Sequence, residues 1–102
     1  MIEIIKTDRF NDWLQSLRDQ IGRAAIEKRI DRLLLGNAGD VSPVVSGISE
    51  MRIHVGPGYR IYFMQHGKTF VVLLCGGDKS SQFRDIAHAR ELAQAIRDEM
   101  GW

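Results

Sequence analysis

From Phe70 to Cys75 the chain runs Phe-Val-Val-Leu-Leu-Cys without a polar residue, and that run limits what the rest can be. It is far short of the roughly 20 apolar residues that a membrane-crossing helix needs. Bounded by the turn signal His66-Gly67 and by Gly76-Gly77, Thr69 to Cys75 reads as a strand apolar on both faces, the kind found mid-sheet with a layer on either side. A chain of 102 residues, 44% apolar and 26% charged, has material for one domain over 1–102 and no second. The start, Met1-Ile2-Glu3-Ile4-Ile5-Lys6, lacks the features of an export signal, and the single Cys75 cannot build a disulfide framework, so a cytoplasmic protein is expected.

The covering layers are legible as helices. Met1 to Lys6 reads as a first strand, and Thr7-Asp8 offers side-chain oxygens to cap a helix. Phe10, Trp13, Leu14, Leu17 and Ile21 follow at helical spacing, Gly22 marks a corner, and Ala25, Ile26, Arg29, Ile30, Leu33 and Leu34 continue as a second helix. Gly36-Asn37-Ala38-Gly39-Asp40 stops it, because Gly and Asn accept the left-handed backbone at a helix end. After Gly76-Gly77, Asp78-Lys79-Ser80-Ser81 supplies caps for a last helix with the stripe Phe83, Ile86, Ala89, Ala93, Ile96 and Met100. The order β-α-α-β-β-β-α describes an α+β domain with a helical hairpin packed on a twisted, mostly antiparallel sheet.

Between Val44 and Met64 the period changes to two. Met51, Ile53 and Val55 alternate with Glu50, Arg52 and His54; Gly56-Pro57-Gly58 intervenes; Tyr59, Ile61 and Phe63 then alternate with Arg60, Tyr62 and Met64. If the three residues Gly56-Pro57-Gly58 form the loop, Val55 faces Tyr59, His54 faces Arg60 and Arg52 faces Tyr62, which gathers Arg52, His54, Arg60 and Tyr62 on one sheet face. Guanidiniums fork onto phosphate, a phenol stacks on an unpaired base and an imidazole exchanges protons near neutrality, so such a face suits RNA. An ordinary polar face, with Arg52 paired to Glu50 or to an acid elsewhere and Tyr62 at the core edge, would read the same way.

Charge supports the same region. Net charge is +1, yet residues 50–90 hold six basic side chains (Arg52, Arg60, Lys68, Lys79, Arg84, Arg90) against three acidic ones. Directly after the buried strand, the segment Gly76 to Gln82 opens a helix, where exposed N–H groups favour an anion and Lys79, Gln82 and Arg84 add donors. A helix capped by its own side chains, entered through flexible glycines, is the competing reading. The P-loop order of residues is absent, and one cysteine without HExxH or CxxC spacing argues against zinc. His66 at a turn, His88 on the last helix and Cys75 in an apolar strand carry no comparable signal.

The segments Gly47-Ile48-Ser49-Glu50-Met51-Arg52, Gly56-Pro57-Gly58-Tyr59-Arg60-Ile61-Tyr62 and Gly76-Gly77-Asp78-Lys79-Ser80-Ser81-Gln82, with Arg84-Asp85-Ile86, resemble the phage-related addiction-module killer-protein (HigB-like) branch of the RelE/ParE toxin superfamily. Trp13-Leu14, Arg29-Ile30-Asp31-Arg32-Leu33 and Gly36 to Asp40 extend the resemblance over nearly the whole chain. It implies the toxin of a type II toxin–antitoxin module, held inactive by a cognate helix-turn-helix antitoxin and reaching operator DNA only through it. RelE-like members cut messenger RNA in the ribosomal A site through the RNA's own 2′-hydroxyl, with neither metal nor cofactor; ParE-like members poison DNA gyrase without cutting RNA. An inactive remnant that only binds its antitoxin is the third reading. Carried onto this chain, Arg60 would stabilise phosphate, with His54 and Lys79 as further catalytic candidates and Arg52, Tyr62, Gln82 and Arg84 binding RNA. The nucleases often place a functional tyrosine, histidine or arginine near the C-terminus, and Asp98-Glu99-Met100-Gly101-Trp102 offers no match.

Overall fold

A computed structural model describes residues 2–102. The elements are β1 (Glu3–Lys6), α1 (Asp8–Ser16), α2 (Gln20–Leu34), β2 (Val41–Val45), β3 (Ile48–Ile53), β4 (Tyr59–His66), β5 (Phe70–Asp78), a single 3₁₀ turn (Lys79–Ser81) and α3 (Gln82–Met100). One five-stranded sheet has the order β1-β5-β4-β3-β2. β1 runs parallel to β5, and every other neighbour is antiparallel. This is the α+β architecture that the periodicity predicts, with one strand more: Val41–Val45 forms an edge strand of its own, turned onto β3 through Ser46-Gly47. Both turn residues have positive φ, the geometry that matches the twist of a two-residue hairpin. The first strand begins at Glu3, and the Met1 end of its expected span lies outside the described residues.

The apolar run is covered on both sides. Val71 and Leu73 enter a core with Phe10, Leu14, Ile26, Ile30 and Leu33 of the two N-terminal helices. Val72, Leu74 and Cys75 enter a second core with Tyr62, Met64 and Ala89 and Ala93 of α3. Leu74 and Cys75 share a side because the β4 register slips between Tyr62 and Phe63, leaving one extra residue on β5. Ala89 and Ala93 are fully buried, and their small size lets α3 lie close on the sheet. Burial pushes the Cys75 thiol up to about 12, so it is un-ionised packing.

Three local expectations change. The helical corner falls at Leu17 to Asp19 rather than at Gly22, because Asp19 caps α2 by accepting from the Gly22 N–H at 3.0 Å. Ile21 is consequently 76% exposed, outside the expected stripe. Phe83, expected in the α3 core stripe, is 92% exposed, and Met100 is also exposed. Gly76-Gly77 does not end the strand, which continues to Asp78. A Cβ on Gly76 would overlap the Trp13 ring and one on Gly77 the Asp85 carboxylate, so these glycines serve close approach from either side of the sheet.

Gly76→Ala is therefore expected to lower stability by about 1–3 kcal/mol through overpacking, read as a shift in urea midpoint. In a Trp13→Ala background the penalty should largely vanish; a penalty of equal size there would mean that the Trp13 contact is not its cause.

Candidate functional site

The loop between β3 and β4 is longer than three residues. Ile53 pairs with Tyr59 and Arg52 with Arg60, so residues 54–58 all lie in the connection. The register thus differs from the expected one by two residues, which preserves side-chain parity. Arg52 and Arg60 still share a face, but they sit directly opposite each other, and Tyr62 faces Glu50 instead of Arg52. Two like charges across a strand pair repel. The compensation is Glu50, 5% exposed, whose carboxylate accepts from Arg60 Nη1 at 2.7 Å and lies 3.9 Å from Arg52 Nη1. The other Glu50 oxygen accepts from the Gln82 side-chain amide at 3.2 Å, so the first residue of α3 is tied to the same carboxylate.

A second carboxylate completes the network. Asp40, in the connection before β2, accepts from Arg52 at 3.0 Å and from His54 Nε2 at 2.6 Å. These two contacts, His54 first, hold the Asp40 carboxyl below its ordinary range. Arg29 of α2 reaches across from beneath, donating to the Arg52 carbonyl at 2.6 Å and the Ala38 carbonyl at 2.9 Å. It thereby fixes both the β3 end and the segment bearing Asp40. The aliphatic stem of Lys79 lies over Gly58, and Lys79, Arg52, His54 and Arg60 line one shallow depression.

Of the residues singled out in the sequence, Arg52, His54, Arg60, Lys79 and Gln82 are brought together at the N-terminal end of α3. Two are not. Tyr62 is fully buried beneath α3, and its hydroxyl has no hydrogen-bond partner, so its ring belongs to the core and cannot stack on a base. Burial, with Glu50 next, pushes its ionisation well above the usual phenol range. Arg84 points away, lining a separate groove with Arg9, Trp13 and Asp85. His54 comes to the cluster from the loop, on a segment that is not strand. Sequence reasoning named Glu50 only as a partner of Arg52 in the competing reading and missed its bond to Arg60. It missed Asp40 and Arg29, which arrive from elements whose placement only the fold supplies.

The anion-site reading of the Lys79 segment meets an occupant already in place. Asp78 accepts from the Ser80 N–H at 2.8 Å and forms a reciprocal cap with Ser81, and Ser81 donates to Asp85 at 2.5 Å. The Ser80 and Ser81 N–H groups of the 3₁₀ turn are thus engaged by the chain's own carboxylate, while Ser81 gives the first turn of α3 no side-chain cap. The remaining histidines are engaged elsewhere: His66 stacks on Trp102 with centroids 4.0 Å apart, and His88 Nδ1 lies 2.6 Å from Arg9. Among the described residues, no group of three or more His, Cys, Asp or Glu is placed to hold a metal. No helix of the described residues is long and apolar enough to cross a membrane.

Tyr62→Phe removes a buried hydroxyl that has no partner, so it is expected to leave stability unchanged or raise it by up to about 1 kcal/mol in urea unfolding. A loss above that would reveal a bond to the hydroxyl. The depressed Asp40 carboxyl contributes stability that is complete above its unfolded value near 3.8 and is lost as pH falls through the lower folded value. The gap in urea midpoint between wild type and Asp40→Asn should accordingly be widest above about pH 5 and close towards about pH 2. A pH-independent gap would remove the ion pairs as its source.

No protein-family model matches the chain. An uncharacterised protein of Haemophilus influenzae is 46% identical over 95 residues, spanning 93% of this chain and 96% of that one. Among solved structures, YafQ from E. coli superposes with a TM-score of 0.54 at 16% identity, covering 81% of this chain and 99% of YafQ. A histidine-to-glutamine variant of YafQ gives the same TM-score and coverage at 14% identity. The match shows a RelE-like fold.

Proposed function

We propose that this chain, which belongs to one family with the Haemophilus influenzae protein and has the fold of YafQ, is the toxin of a type II toxin–antitoxin module that cleaves messenger RNA. The fold it shares with a RelE-family toxin supports the toxin assignment, as do the motifs around Glu50, Arg60 and Lys79. The observation that carries the nuclease reading is the convergence of Arg52, Arg60 and Lys79 on one depression beside the N-terminus of α3. The partners that follow are a helix-turn-helix antitoxin, through which operator DNA is reached, and the ribosome with its message. The finer assignment is to the HigB-like killer-protein branch.

The chemistry asked of this surface is an internal transfer. The 2′-oxygen attacks the adjacent phosphorus, the bond to the 5′-oxygen breaks, and a 2′,3′-cyclic phosphate and a 5′-hydroxyl result. A base removes the 2′ proton, an acid supplies one to the 5′-oxygen, and cations stabilise the crowded phosphate between them. No metal or cofactor is required for that sequence. Arg60, held nearly buried by Glu50 with its side chain 13% exposed, is preorganised for the developing charge. Arg52 and Lys79 add positive potential at the rim. His54 is exposed and held by Asp40, the arrangement of a proton carrier oriented by a carboxylate.

The same pairing favours a second reading. Both arginines already have carboxylate partners, as suits a surface that binds a macromolecule without catalysis, and a gyrase-directed toxin on this fold would need no more. Mapping transcript 5′ ends after brief induction without antitoxin separates the two. New ends inside reading frames, reduced at least about 100-fold by Arg60→Ala, are expected. Intact transcripts with accumulated double-strand DNA breaks would transfer the function to gyrase, and growth arrest undiminished in Arg60→Ala would remove this surface from the killing step.

A further inference from the structure

An open cleft lies beside the proposed site rather than within it. α3 packs chiefly on β5 and β4 and also touches β3, burying Ile48 and Glu50, so the open ground beside the helix lies at the Ser46-Gly47 end of the β2–β3 hairpin. The cleft between them measures about 470 Å³, floored by Ile48 and Ser46 and walled by Ala87, Arg90, Gln94 and Arg97. α3 runs beside β3 from Gln82, which is bonded to Glu50 next to the Arg52/Arg60 pair, to Arg97 at the Ser46-Gly47 turn, and the cleft lies between those two ends.

The helix wall is one stripe. Phe83, Ala87, Arg90, Gln94 and Arg97 recur at alternating gaps of four and three, the spacing that places side chains along one helix face. Arg90 and Arg97 are two turns apart, about 10 Å along the axis at roughly 1.5 Å per residue. Neither has a carboxylate within ion-pairing distance among the described residues, and Glu91 is the one acidic residue in the cleft wall. Arg97 donates to the Ser46 carbonyl at 2.9 Å, which anchors it at the hairpin turn, while Arg90 makes no side-chain hydrogen bond or ion pair among the described residues. At the head of the stripe, one residue after Gln82, stands Phe83, 92% exposed. A cleft for an amphipathic protein segment would need a continuous apolar lining, and Phe83 is the one large apolar side chain of this stripe.

We propose that the stripe and the β2–β3 hairpin form a track for single-stranded RNA leading to the Arg60 site, with Phe83 stacking on an unpaired base and Arg90 and Arg97 holding phosphates. The inference rests on the RNA-cleaving reading and supplies its missing aromatic contact. Tyr62 is buried, and Phe83 is exposed on the helix stripe that also carries Arg90 and Arg97, an aromatic ring and cations of the kind by which proteins hold unpaired strands. The track predicts that the strand is read largely through backbone charge and stacking, since its walls offer few groups directed at base edges.

The test is the binding of a 2′-O-methylated single-stranded RNA oligonucleotide, which cannot be cut, to the purified chain across a salt series. Phe83→Ala should weaken binding about five- to a hundredfold. Arg90→Gln should lower the salt-dependence slope by roughly 0.7, the contribution of one phosphate contact on a single strand. Arg97→Gln adds a similar decrement but also frees the hairpin turn, so Arg90→Gln decides. Arg18→Gln, an exposed charge on the α1–α2 corner, should bind as wild type. If wild type cuts transcripts in cells while Phe83→Ala and Arg90→Gln bind the oligonucleotide unchanged, the track is overturned and the nuclease stands. If wild type neither binds nor cuts, both fall. Substitutions that spare RNA binding but abolish capture of the antitoxin would reassign the stripe to a protein.

Discussion

Burial of β5 from both sides organises everything else in this molecule. A strand with Val71 and Leu73 on one face and Val72, Leu74 and Cys75 on the other cannot lie at a surface, so the chain must deliver helices to both sides. The N-terminal pair covers one face and α3 the other. Because α3 starts immediately beyond β5, through one 3₁₀ turn, it has to double back over the strand it has just left. That return places its first residue, Gln82, against Glu50 and leaves a cleft between the helix and the Ser46-Gly47 end of the β2–β3 hairpin. The site and the cleft are both consequences of where α3 can reach.

Within the site the governing element is the Glu50 carboxylate. Antiparallel register sets Arg52 directly against Arg60, an arrangement that repulsion alone would disfavour, and Glu50 makes it tenable by lying near both. A nearly buried ion pair of this kind adds little to net stability, because desolvation offsets most of the attraction. Its effect is positional: Arg60 is held in one orientation, so little has to be rearranged when negative charge develops beside it. Asp40 does the same at the exposed rim for Arg52 and His54, with greater freedom and stronger screening by salt.

Periodicity carries the fold further than it carries the site. The change of period from Val44, the two-faced run in β5 and the cap at Thr7 are local signals, each legible without tertiary knowledge, whereas Asp78 caps the 3₁₀ turn rather than α3 itself. β2 escaped because Val41–Val45 contains Pro43 and takes its strand identity from pairing with β3. The loop length was misjudged because Gly56-Pro57-Gly58 announces a turn without saying where pairing resumes. Arg52 and Arg60 nonetheless remained on one face, since a two-residue change cannot alter parity. Phe83 and Tyr62 exchanged roles for a tertiary reason. Rotation of α3 about its axis is set by Ala89 and Ala93 against the sheet, which points Phe83 outward, while the space beneath the helix is filled by the Tyr62 ring. The cation excess after residue 50 was real, but Asp40 lies outside the counted window and Glu50 is shared between two arginines, so the charge that faces water is smaller than the count.

The parallel pairing of β1 with β5 has a bearing on how the molecule comes into being. Glu3 meets Phe70, and Lys6 meets Leu73, across most of the length of the chain. A polypeptide emerging from the ribosome in order therefore carries its first strand unpaired until β5 has been made, and closure of so distant a contact is slow compared with helix formation. The depression beside Arg60 is assembled only after that closure, since its wall at Lys79 and its brace at Gln82 follow β5 in the chain. The incomplete nascent chain lacks a finished site, and the interval between synthesis and competence is written into the strand order.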